Sequence, residues 1–80
     1  MTASTFSIKA MGLNSAEFEA QVVTLVRKHC PDLSETAVAS RDSKGGKYLS
    51  VTVTVHATSR EQLDNIYREL TACEQVLMAL

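Results

Sequence analysis

The imidazoles and thiols of this chain belong to His29, Cys30, His56 and Cys73. His29 and Cys30 are adjacent, and neighbours on a helix point about 100° apart, so they do not converge on one ion. The two cysteines have no CxxC-type spacing, and no three ligands fall into a metal-site pattern. No metal and no cofactor are expected. A nucleophile needs a base within reach and a third group to orient that base. No serine or cysteine here has an identifiable histidine and carboxylate for those tasks. His56 is the strongest candidate for a titrating group, as a general base or as a pH-sensitive contact. An enzyme built on this chain would have to use His56 with a hydroxyl or with Cys73. The expectation is a protein that is not an enzyme.

His56 belongs to the most regular stretch of the chain, Lys47 to Ala57. Leu49, Val51, Val53, Val55 and Ala57 alternate with Tyr48, Ser50, Thr52, Thr54 and His56. Period two with β-branched pairs predicts a strand with one apolar and one polar face. Such a strand needs cover on one side alone, so it belongs to a half-open sheet. Thr5 to Met11 alternates in the same way, with Phe6, Ile8 and Ala10 against Ser7, Lys9 and Met11. Gly12 and Leu13 are expected to end that strand, after Met1 to Ser4 as a short frayed start. Asn14, with Glu17 three positions on, reads as a capping box. Phe18, Val22, Leu25, Val26 and His29 then form one helical stripe. Pro31 stops the helix, and Asp32 to Ser34 is a loop.

Glu35 to Asp42 reads as a weaker strand, joined by the turn Ser43-Lys44-Gly45-Gly46 to the strong one as a hairpin. Thr58 and Ser59 both offer caps for a second helix, with Glu61 or Gln62 as reciprocal partner. Leu63, Ile66, Tyr67 and Leu70 are its buried stripe. Glu74 to Leu80 is the last strand. The order strand, helix, strand, strand, helix, strand predicts an α+β, ferredoxin-like βαββαβ domain over residues 1–80. Two helices cover one face of a four-stranded antiparallel sheet whose middle strands are the first and third.

Eighty residues make one domain, with a core near the lower limit of adequacy. The 45% hydrophobic content suits a globular chain, and the 21% charged content argues against disorder. Eight basic and nine acidic residues give a net charge of −1, a poor balance for binding nucleic acid or an anionic membrane. No run approaches the roughly 18 apolar residues of a membrane span, and no secretory signal opens the chain. Reduced thiols and a cytoplasmic location are expected.

Several motifs resemble a known family. They are Phe6-x-x-Lys9-x-Met11-Gly12, Ser43-Lys44-Gly45 before Tyr48-x-Ser50-Val51, and Ala57-Thr58-x-x-Glu61-Gln62. Tyr67-x-Glu69-Leu70 and Val76-x-Met78-x-Leu80 complete the set. Together they resemble the YbeD-like family of small bacterial proteins, over nearly the whole chain. The resemblance implies a ferredoxin-like fold similar to the ACT regulatory domains, which bind small metabolites, and carries over no catalytic residue. The chain departs from the family in lacking an apolar segment before the first strand. Its Gly45-Gly46-Lys47 turn is one residue longer.

Gly12 and Asn14, between the first strand and the first helix, are the candidate ligand site. There ACT-like domains let backbone approach a small ligand, and free helix N–H groups favour an anion. An acylphosphatase would need an arginine just inside the helix, and Ala10 to Phe18 has none. An RNA-recognition module would need stacking rings on its central strands. Tyr48 is the lone ring, behind Lys44-Gly45, so no nucleic-acid partner is expected. The candidate interaction surface is the polar sheet face of Lys9, Met11, Tyr48, Ser50, Thr52, Thr54 and His56, with Met78 on the last strand. The expected function is a non-enzymatic regulatory or adaptor domain that binds a protein or small metabolite. A homodimer through the open face or the apolar Val76–Leu80 edge is the expected assembly. The alternatives are a small enzyme or an RNA-binding module using the same face.

Overall fold

The computed structural model describes residues 4–80. Strand β1 (Ser4–Leu13) leads to helix α1 (Phe18–His29), a 3₁₀ turn (Glu35–Ala37) and strand β2 (Val38–Asp42). Strand β3 (Tyr48–Ala57), helix α2 (Arg60–Ala72) and strand β4 (Val76–Ala79) follow. The sheet order is β2-β3-β1-β4, and every neighbouring pair is antiparallel. This is the expected ferredoxin-like arrangement, with the first and third strands in the middle. Of the start expected to fray, Met1 to Ser4, residues 1–3 lie outside the described residues, while Ser4 is not frayed but pairs with Ala57 in β1. No helix among the described residues is long and apolar enough to cross a membrane.

The alternation of β3 decides which face is covered. Val51, Val53 and Val55 are fully buried together with Ile8 and Ala10 of β1, beneath Val22 and Val26 of α1 and Ile66 and Leu70 of α2. Val53→Ala should cost about 2–4 kcal/mol through lost transfer energy and a residual cavity. Urea denaturation checks this, and a loss under about 0.5 kcal/mol would mean that the site is not core.

Four local expectations need correction. The first strand does not end at Gly12, because pairing with β3 continues to Leu13↔Tyr48. Asn14 does not cap α1. The residue before the helix is Glu17, which makes no side-chain cap. The second strand begins at Val38, because the Ser34 hydroxyl accepts the Thr36 N–H at 3.2 Å and turns Glu35–Ala37 into a 3₁₀ turn. The last strand begins at Val76, whose N–H donates to the Cys73 carbonyl at 3.0 Å and holds the preceding residues in a turn.

The second helix starts as its sequence suggests. Ser59 Oγ accepts the Gln62 N–H at 3.1 Å, and Gln62 Oε1 accepts the Thr58 N–H at 2.8 Å. In the hairpin turn Gly45 and Gly46 have φ of +88° and +72°, a region that costs glycine nothing.

Candidate functional site

The uncovered sheet face is built by strand register. Cα pairing places Arg41, Ser50, Met11 and Met78 in one row across all four strands. The next row is Ala39, Thr52 and Lys9, and Lys9 exchanges backbone hydrogen bonds of 3.0 and 2.8 Å with Leu80. Ser7 then faces Thr54, and Thr5 faces His56. Lys9, Met11, Tyr48, Ser50, Thr52, Thr54, His56 and Met78 thus lie on one surface.

That surface is mixed in chemistry. Met78 is 52% exposed and Leu80 66%, so its β4 margin is apolar. Toward the hairpin, Lys9, Arg41, Asp42, Tyr48 and Ser50 surround a shallow hollow of about 300 Å³. The Lys47 ammonium lies 5.5 Å from the centre of the Tyr48 ring, within range of a cation–π contact. At the far end His56 Nδ1 and Thr5 Oγ1 are 3.1 Å apart.

Arg41 and Thr5 belong to this face although motif reading did not single them out, and Leu80, expected on the apolar edge, borders it. Strand parity was the signal: Arg41 stands opposite Ser50, as any hairpin through Ser43–Lys47 with this alternation requires.

Gly12 and Asn14 are occupied by the protein itself. A Cβ built on Gly12 would sit 2.5 and 2.7 Å from two carbons of the Phe18 ring and closer still to the Gln75 carbonyl oxygen. Asn14 Nδ2 donates to Asp42 Oδ1 at 3.1 Å and to the Gly46 carbonyl at 3.0 Å. Its backbone N–H donates to the Lys47 carbonyl at 2.9 Å. Asn14 therefore fastens the end of β1 to the β2–β3 turn.

The thiols and histidines do not assemble a nucleophile. Cys30 is buried, and burial raises its thiol pKa, with the bond from Gln62 Nε2 at 3.4 Å acting the other way. A raised thiol is a poor thiolate source. Cys73 is half-buried, and its thiol donates to Gln75 Oε1 at 3.3 Å. His56 and Cys73 line different hollows. Among the described residues no group of three or more His, Cys, Asp or Glu could hold a metal ion.

His29 has a structural partner. Its Nε2 meets Glu69 Oε2, and Lys28 Nζ lies 2.6 Å from Glu69 Oε1, so α1 and α2 are bridged on their outer side. Hydrogen bonds from Lys28 and then His29 hold the Glu69 carboxyl below its usual pKa, against a smaller desolvation effect. A depressed folded-state pKa contributes stability that is present above the ordinary carboxylate pKa and lost as pH falls through the folded value. Wild type should therefore lose thermal stability faster than Glu69→Gln on acidification below about pH 4.5. Parallel Tm–pH profiles for the two would show that the bridge contributes nothing.

Comparison with known proteins places this geometry. Residues 4–80 match the family described as "Protein of unknown function (DUF493)". A UPF0250 protein of Chromobacterium violaceum is 49% identical over 75 residues, covering 94% of this chain and 84% of that one. Its counterpart in Janthinobacterium sp. is 47% identical over 77 residues, covering 96% and 85%. Among solved structures, the ACT domain from GTP pyrophosphokinase of Chlorobium tepidum superposes with a TM-score of 0.76 at 12% identity. It covers 100% of this chain and 86% of that one. Protein HP0495 from H. pylori gives a TM-score of 0.73 at 11% identity, covering 100% and 84%. At those identities the structures speak for the fold alone, while the sequence matches, in line with the YbeD-like resemblance, show that the chain belongs to the DUF493 family.

Proposed function

We propose that this chain is a non-catalytic regulatory or adaptor domain that engages a protein partner through its open sheet face. The observation that carries this reading is the register row Arg41–Ser50–Met11–Met78 with Leu80 beside it. It sets an exposed apolar margin next to hydroxyls and basic groups on one surface. An apolar patch rimmed by polar residues is the make-up of a docking surface. Burial raises the Cys30 thiol pKa and the Cys73 thiol donates to Gln75 Oε1, neither of which favours a catalytic reading instead.

Self-association is the simplest form of such docking and the first to measure. Sedimentation equilibrium at micromolar concentration should show a dimer, and Met78→Lys should weaken it at least tenfold by charging the margin. A wild type that stays monomeric up to about millimolar, with no partner whose binding Met78→Lys weakens, would overturn the reading.

A small metabolite is the second reading. It is favoured by a hollow of about 590 Å³ between the α1–β2 loop and α2, lined by Ser34, Thr36, Thr58 and Gln62 among others. Thermal shift against metabolite sets tests it, a rise in Tm that saturates with ligand being the expected result.

A further inference from the structure

The charges of this chain are sorted by layer. The strands and the β2–β3 turn hold Lys9, Arg41, Lys44 and Lys47, with Asp42 as their one acidic residue. The other eight acidic residues lie in the helices, the 3₁₀ turn and the connecting loops, beside four basic ones. Register decides which side of the sheet Asp42 serves. It pairs with Leu49, a core residue, whereas Arg41 pairs with Ser50 of the open face. Paired residues share a face, so the Asp42 side chain leaves the open one, and its Oδ1 accepts an N–H of Asn14 Nδ2 at 3.1 Å. Among the described residues, no strand sets a carboxylate on the open face.

The shallow hollow toward the hairpin is therefore walled by cations. Lys9 and Arg41 stand exposed beside it, and Met11, Tyr48 and Ser50 are its half-buried floor. The register sets Arg41 two strands from Met11, and Lys9 two residues before Met11. At ordinary sheet spacings their Cα atoms are then roughly 12 Å apart, so both long side chains reach one small anionic group between them. Among the described residues neither Lys9 nor Arg41 has an ion-pair partner.

We infer that this hollow receives a carboxylate side chain from an acidic, partly apolar segment of a partner protein. The inference rests on the open face as the docking surface and names the chemistry of what docks there. Two cations on one carboxylate make charge-assisted hydrogen bonds, and Lys44 and Lys47 at the turn add attraction at longer range. Met11 and Met78, neighbours in the register row, fit a segment that carries apolar side chains beside its carboxylates. A second copy does not supply the group. Pairing two open faces around a two-fold axis sets these cations against a face without a carboxylate. Packing onto the acidic helix layer of another copy is head-to-tail, and it closes only as a ring or runs on as a filament. A nucleic acid also brings anions, but Tyr48 is the lone aromatic ring on the face for a base to stack on.

The probe is the synthetic peptide acetyl-Ser-Glu-Leu-Glu-Leu-Glu-Ser-amide, titrated into the ¹⁵N-labelled full chain at low salt. The control is the same peptide with glutamine for each glutamate. The Lys9, Arg41 and Ser50 amide resonances should shift in a saturable way with the acidic peptide, and added salt should weaken its binding. The glutamine peptide should bind at least tenfold more weakly. Lys9→Gln/Arg41→Gln should cut the affinity for the acidic peptide at least tenfold with the urea midpoint unchanged, because both side chains are exposed. Arg68→Gln, which removes a charge from α2, should leave it unchanged. If the double variant does not fold, the pair of peptides decides. Equal binding by the two peptides, weakened alike by Met78→Ser, would overturn the inference while leaving the open face a docking surface. No shift up to millimolar peptide, or an equal loss in Arg68→Gln, would overturn it too. Shifts confined to residues off the sheet face would overturn it together with the open-face reading. Tighter binding of oligothymidylate at the same amides would overturn it in favour of a nucleic acid.

Discussion

Phe18→Ala should be among the most damaging single truncations in this domain, costing about 3–5 kcal/mol. A domain of this size is stable by roughly 4–12 kcal/mol in all, so the variant should be partly unfolded at ambient temperature. Phe18 opens α1, is 1% exposed, and places its ring over Gly12 of β1. Its removal leaves a cavity where helix and strand meet, and β1 cannot move in to fill it without breaking the β1–β3 ladder. Circular dichroism across a urea series measures the loss. A cost under about 1 kcal/mol would show that the site collapses freely.

Gly12→Ala should cost about 3 kcal/mol, beyond the usual middle of the overpacking range. The obstacle is spatial. The new methyl meets the Phe18 ring and the Gln75 carbonyl together, and a backbone oxygen in a turn cannot swing aside as a flexible side chain does. The urea midpoint should fall, and an unchanged midpoint would mean that β1 shifts freely. Because the ring is one of the two obstacles, the double variant Phe18→Ala/Gly12→Ala should cost less than the sum of the singles. The Gln75 carbonyl keeps that relief partial.

These two residues also mark where sequence reading stops. The alternation of Tyr48–Ala57 carries its own answer, because each side chain's face follows from parity within the strand. The members of the open face were legible for that reason. Gly12 looked like a strand terminator because its local signal is that of a turn, whereas its actual need for no side chain comes from Phe18 and Gln75. Asn14 satisfies the local pattern of a cap, yet Asp42 and Gly46 claim its amide once the hairpin turn comes within reach. The Thr36 N–H finds its partner two residues away, so that correction was local but rested on a hydroxyl competing with the ladder. The register of β4 was not legible at all, because it depends on how the Cys73–Val76 turn sets β4 down beside Met11 and Gly12.

The Asn14 fastening has a kinetic consequence. Its two side-chain bonds join residues 28 and 32 positions apart, across the whole of α1 and β2. The β2–β3 hairpin closes over a short loop and can form early, whereas β1 must find it across a long one and lose far more chain entropy in doing so. The Asn14 amide cannot engage Asp42 and Gly46 before that meeting. Comparing folding and unfolding rates of Asn14→Ala therefore times the arrival of β1, with a φ-value near one marking a strand already docked at the barrier.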